Sequence, residues 1–216
     1  MCVDKDEGLP FDHRIDITEK VLNIAKTGES FVIKGNRGLG KSKYLRHISN
    51  SKAFNSKYAA PNKINFNYLN LNTIYSRNVK QFLYGLCSIF KIEDCSLETI
   101  EEGIEKSPNI EYLILDQAEL LEEVDKETHR VICSLISTHK RKFAVIISCN
   151  TSSFLLKHKS LEYVKDHTSV QFEFTPQSKD QITTTIEQFG KLFDVKLTKD
   201  QKLTLAQKSQ GSPLIC

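Results

Sequence analysis

Short apolar runs alternate along this chain with longer stretches whose apolar residues recur at helical spacing. Residues 31–34 (FVIK) are the first apolar run, and a helical pattern follows over 41–50. The polar stretch 51–62 reads as a connection. The run 64–71 (INFNYLNL) alternates apolar and polar positions as a strand does. Over 78–90, Val79, Phe82, Leu83, Leu86, Ile89 and Phe90 fall on one helix face. A second helix begins at Ser96, with Leu97, Ile100 and Ile104 as its face. The apolar run 112–115 ends at Asp116, a helix over 126–138 leads to a strand over 143–149, and a fifth strand covers 170–174.

This alternation predicts an α/β fold, a parallel β-sheet sandwiched by helices. After Pro176 the pattern changes. Two helical stretches, 178–193 and 198–209, have no strand between them and read as the start of a small helical domain. The expected organisation is an αβα core over 1–175 and a partial helical domain over 176–216.

Composition narrows the class. A length of 216 residues allows one sizeable domain and part of a second, and 39% hydrophobic with 26% charged residues fits a soluble globular chain. The formal net charge of +3 is too small to argue nucleic-acid binding by itself, and the basic run His139-Lys140-Arg141-Lys142 reads first as a solvated turn. No apolar stretch approaches the ~20 residues that span a bilayer, and the polar, acidic MCVDKDEGLP is unlike a signal peptide. The six cysteines show no C-x-x-C pairing and no His at metal-ligand spacing. A reduced compartment without disulfides or structural zinc is expected.

The chemistry sits between the first strand and its helix. Gly35-Asn36-Arg37-Gly38-Leu39-Gly40-Lys41-Ser42 fits G-x-x-x-x-G-K-[ST], the phosphate-binding loop. Glycines let the chain turn tightly, backbone N–H groups form an anion nest, and the following helix adds its positive N-terminal end. Lys41 is expected to reach the β- and γ-phosphates of ATP, and Ser42 to place its hydroxyl on Mg²⁺. Asp116, at the carboxyl end of YLILD, is the expected acidic partner of Mg²⁺. The next residue is Gln117, where a Glu would deprotonate the attacking water. A neutral amide positions water but accepts no proton usefully, so tight nucleotide binding with slow or absent hydrolysis is expected. Glu119 is a substitute whose direction the sequence leaves open. At the end of the fourth strand, Asn150 is the candidate sensor of the γ-phosphate or attacking water, with Thr151 as alternative.

Together these residues resemble the AAA+ ATPases of the origin-recognition/Cdc6 branch. Phe11-Asp12-His13-Arg14 looks like that family's segment bordering the adenine, which implies Arg14 as a base contact. LDQAELL is similar to its Walker B stretch, Asn150 to sensor 1, and the stretch after Pro176 to its helical lid. NYLNLN, LDQAELL and SSFL look most like the subunit 5 family of origin recognition complexes. The resemblance implies an ATP-binding subunit that assembles with other AAA+ subunits in a hetero-oligomer, meets DNA through that complex and has no membrane association. It implies a nuclear location if so, and a cytoplasmic one otherwise.

Departures from the family pattern are part of the reading. The segment 151–170 has no Arg to act as a finger, and Lys157, Lys159 and Lys165 lack the planar fork of a guanidinium. Gly211-Ser212-Pro213 stands where the family carries a sensor-2 turn with Arg. No winged-helix region follows, so the sequence is expected to be either shortened or reduced. The competing reading is an active ATPase of the STAND or transposition-associated type, with GSPLI similar to the STAND lid. A small-molecule kinase is discounted because the arginines at 14, 37, 46, 77, 130 and 141 form no cluster in sequence.

Overall fold

The computed structural model describes residues 14–74, 77–150, 162–168, 170–192, 194–209 and 211. Five strands, β1 (Phe31–Lys34), β2 (Ile64–Asn70), β3 (Ile110–Asp116), β4 (Phe143–Cys149) and β5 (Val170–Glu173), form one sheet in the order β2-β3-β4-β1-β5. Every pairing is parallel. Parallel strands need crossovers, and the helical stretches supply them while covering both faces.

Burial follows position in the sheet. The central strand β4 is buried throughout, and β3 at every residue after Ile110. The edge strand β5 alternates half-buried and exposed residues. On one face Phe31, Ile33, Tyr112, Ile114, Ala144 and Ile146 pack against α1 (Ile15–Ala25), α2 (Lys41–Asn50) and α3 (Lys52–Phe54). On the other, Val32, Leu113, Leu115, Val145 and Ile147 meet α4 (Val79–Phe90), α5 (Leu97–Lys106), α6 (Lys126–Thr138) and α7 (Glu162–Asp166). Leu113 is fully buried, and cutting it to Ala would cost about 2–5 kcal/mol.

The expected strands and long helices are present, with boundaries shifted by one or two residues. Four stretches differ. The connection 51–62 is helical: Ser51 caps α3 by accepting from the Phe54 N–H at 3.2 Å, a π turn (Asn55–Ala59) and a 3-10 turn (Ala60–Asn62) follow, and Phe54 and Ala59 are buried. Helix α1 went unread although Ile17, Val21, Leu22 and Ala25 recur at helical spacing. It begins after Arg14, a left-handed residue with no side-chain cap, so the usual starting signal is missing. The 3-10 segment Ala118–Glu123 and α7 were likewise not expected.

Beyond β5, α8 (Lys179–Leu192) and α9 (Lys199–Ser209) pack on each other through a separate cluster of Ile182, Ile186 and Ala206. Contacts among the described residues join this pair to the core and close its two ends on each other. Arg14 donates to the Thr175 carbonyl at 3.1 Å, the Lys43 ammonium lies 4.3 Å from the Phe189 ring centre, and the Gln177 N–H donates to the Gly211 carbonyl at 3.0 Å. Among the described residues, no helix is long and apolar enough to cross a membrane.

Candidate functional site

The carboxyl ends of β1, β3 and β4 open into a cleft of about 580 Å³. One wall is the loop between β1 and α2, contributing Asn36, Arg37, Gly38, Gly40, Lys41 and Ser42. The other holds Asp116, Gln117, Glu119, Ser148, Cys149 and Asn150.

The loop wall owes its shape to its glycines. Gly38 and Gly40 both have φ of 88°, a left-handed conformation that costs other residues about 1–2 kcal/mol. A Cβ on Gly35 would lie 2.8 Å from the Phe174 carbonyl oxygen, so the first glycine lets β5 approach. Leu39 turns away into the core. Ser51, Asn78, Ser96 and Asp125 cap α3, α4, α5 and α6 with their side chains, whereas α2 starts on Gly40 with no side-chain cap. The N-terminal dipole end of α2 therefore faces the cleft without a side-chain acceptor of its own.

Lys41 is 9% exposed, and its ammonium donates to the carbonyls of Gly35 and Asn36. Burial pulls its pKa down, while the carboxylates of Asp116 and Glu119 oppose that shift. Lys43 and Arg46, two and five residues further along α2, also line the cleft. Arg37 and Arg46, nine residues apart, thus share one site.

The second wall is assembled across strands. Asp116 pairs with Asn70 of β2 and Ser148 of β4 in the ladder, so Asn70 and Asp116 end their strands together and Ser148 lies one residue before the end of β4. Asp116 is 2% exposed; its Oδ2 accepts from the Tyr68 hydroxyl at 2.7 Å and its Oδ1 from the Gln117 N–H at 3.0 Å. Gln117 has φ of 59°, a strained value for a residue with a side chain. That left-handed turn starts the 3-10 segment, which brings Glu119 back to the cleft. Glu119 Oε1 accepts from the Asn150 N–H at 2.5 Å. The direction left open in the sequence is thereby settled: Glu119 faces the same cleft as Gln117 and Asp116.

Ser148 is 1% exposed and lines the cleft, and its Oγ has no partner among the described residues. Cys149 beside it is buried, and desolvation with the Glu119 charge pushes its thiol up to about 12, so it stays protonated and unreactive.

Arg14 lies elsewhere. It stacks 4.1 Å over the Phe174 ring, pairs with Asp16 at 3.3 Å, and lines a second cavity of about 290 Å³ with Asp180, Thr184 and Gln188 of α8. Phe11, Asp12, His13, Thr151, the SSFL stretch, Lys157, Lys159, Ser212 and Pro213 lie outside the described residues. Lys165 is exposed on α7. Sequence reasoning missed Tyr68, Asn72, Lys43 and Arg46 as residues of the site or its support. The only signal for Tyr68 was its parity, which puts it on the same sheet face as Asp116.

The residues fit a nucleotide with its cation. Four cationic side chains (Arg37, Lys41, Lys43, Arg46) line the cleft against two carboxylates (Asp116, Glu119), a surplus matched to a polyphosphate. Mg²⁺ typically takes one or two protein oxygens and several from phosphate and water; Ser42 and Asp116, both lining the cleft, would supply the protein oxygens for such a cation.

No protein-family model matches the chain, and no curated protein matches it. Solved structures do. The Aeropyrum pernix ORC1 protein in complex with DNA superposes with a TM-score of 0.66 at 13% identity, over 96% of this chain and 57% of that one. Cdc6p from Pyrobaculum aerophilum gives 0.63 at 16% identity, over 98% and 62%. Domain III of the Thermotoga maritima replication initiation protein DnaA gives 0.58 at 15% identity, over 96% and 82%. This chain therefore spans about three fifths of the length of the first two. The fold is that of the AAA+ P-loop NTPases.

Proposed function

We propose that this chain is an ATP-binding AAA+ subunit of an origin-recognition-like assembly acting in replication initiation. ATP serves it mainly as a structural switch and is hydrolysed slowly. The observation that carries the reading is the asymmetry of the cleft. The phosphate loop, the unshielded α2 terminus and Lys41 are complete, while the position after the Walker B Asp holds a neutral Gln117. The similarity in fold to ORC1 and Cdc6p supports the choice of assembly. Within that group, the subunit 5 family is the reading that NYLNLN and LDQAELL support, with a nuclear location, other AAA+ subunits as partners and DNA met through the complex.

In this reading Lys41 leaves the Gly35 and Asn36 carbonyls for the phosphates, and Ser42 and Asp116 would hold the cation. Bound Mg²⁺ would supply charge neutralisation on the β- and γ-phosphates. The α8–α9 pair acts as a lid, and Arg14, held between Phe174 and that pair, borders the base. Binding stabilises the folded arrangement of core and lid by linkage.

One observation favours a second reading, an active ATPase of the STAND or transposition-associated kind. The Glu119 carboxylate lines the cleft and is a proton acceptor in place of Gln117. Thermal unfolding with and without ATP tests the shared premise. Saturating ATP at 100 times its Kd should add about 2.7 kcal/mol of stability, and Lys41→Ala should lose that gain. An ATP shift retained in the Lys41→Ala protein would contradict the assignment.

A further inference from the structure

Tyr68 has no place in the Walker pattern, yet its hydroxyl touches the carboxylate on which the cation chemistry depends. We propose that Tyr68 is a positioning residue that holds Asp116 in its cation-binding orientation and so sets the divalent-cation dependence of nucleotide binding. The proposal rests on the ATP reading of the cleft and deepens it.

The geometry begins in the register of β2 against β3. Tyr68 lies opposite Ile114, and Asn70 opposite Asp116. Side chains alternate faces along a strand, so Tyr68, Ile114 and Asp116 project on the same side of the sheet, the side that α2 covers. From one row below, the phenol reaches Asp116 Oδ2 at 2.7 Å, the length of a strong hydrogen bond to a carboxylate. The Gln117 N–H holds Oδ1 at 3.0 Å. A carboxylate offers about four acceptor sites. These two bonds occupy one site on each oxygen, fix the carboxylate plane, and leave one site per oxygen for a cation.

The choice of a phenol is informative. Asp116 is 2% exposed, and a polar group buried to that degree is costly without hydrogen bonds. A Lys or Arg in place of Tyr68 would satisfy it but would cancel its charge and repel a cation. A neutral hydroxyl orients the carboxylate and leaves its charge available. Phe at this position would keep the ring packing and remove only the donor.

The test compares wild type, Tyr68→Phe, Asp116→Asn and the double variant. The readout is the Mg²⁺ concentration giving half of the ATP-dependent thermal stabilisation, with an EDTA arm that reports ATP binding without cation. Outer partners of cation ligands are worth roughly 10–100-fold in cation affinity. Tyr68→Phe should raise the Mg²⁺ midpoint by that factor while leaving the EDTA arm unchanged. In the Asp116→Asn background the same substitution should add no further shift, because the partner it acts through is already altered. A Tyr68→Phe midpoint within two-fold of wild type overturns the inference, as does an equal shift in the Asp116→Asn background, which would assign Tyr68 a packing role. Failure of wild type to respond to ATP in either arm instead overturns the nucleotide reading, and the inference with it.

Discussion

The two walls of the cleft are built in different ways. The loop wall is contiguous: eight residues, Gly35 to Ser42, carry the turn, the cation and the hydroxyl, and α2 follows without a side-chain cap. The opposite wall is gathered from β2, β3, β4 and a 3-10 turn, with Tyr68 bonding Asp116 and Glu119 bonding Asn150. The contiguous wall carries left-handed glycines, a cationic side chain and an uncapped helix N-terminus, the features that suit a polyphosphate. The assembled wall carries a neutral Gln117 where a proton acceptor would stand, and places its nearest carboxylate two residues further on. In the proposed reading, binding and turnover are set by separate parts of the chain, so substitutions should separate them.

The largest expected effect comes from the loop wall. Lys41→Ala removes charge-assisted bonds to phosphate worth about 1.5–3 kcal/mol each. ATP affinity measured by calorimetry should fall roughly 10²–10⁴-fold. Gln117→Glu addresses the other wall. If the missing base is the main defect, ATP turnover should rise, by up to ~10²-fold, with little change in affinity. An unchanged rate would move the defect to the absent arginine.

A pH series links the walls. Burial lowers the pKa of Lys41, and Asp116 and Glu119 push back. ATP binding needs the ammonium, so affinity should fall as pH rises through that lowered pKa. Glu119→Gln removes one opposing charge, so in that variant the fall should begin at lower pH. Equal profiles for both proteins would show that Glu119 does not act on Lys41. The smallest effect concerns Gln117 itself. With φ of 59° it carries backbone strain, and Gln117→Gly should raise unfolding stability by up to about 1 kcal/mol.

The same contrast explains how much was legible in the sequence. The loop wall could be read directly, because its chemistry depends on spacing along one segment. So could β1, α2, α6 and β4, each a run of unbroken periodicity. Asp116 was legible as the end of an apolar strand. The direction of Glu119 was not, since it follows from the left-handed turn at Gln117, which no local pattern announces. Tyr68 was hidden for another reason: its partner is 48 residues away, and only the β2–β3 register joins them. Helix α1 was hidden by its start, where Arg14 replaces the usual capping side chain with contacts to Thr175 and Phe174.

The central claim, that this cleft holds ATP far better than it consumes it, is tested most directly by measuring ATP occupancy and ATP turnover on one sample of the isolated wild-type chain with Mg²⁺. The account predicts saturable binding with turnover slower than ~10⁻² s⁻¹, the range of nucleotide switches rather than motors. Turnover of ~1 s⁻¹ or faster from the isolated chain, the ordinary range for enzymes, would contradict it.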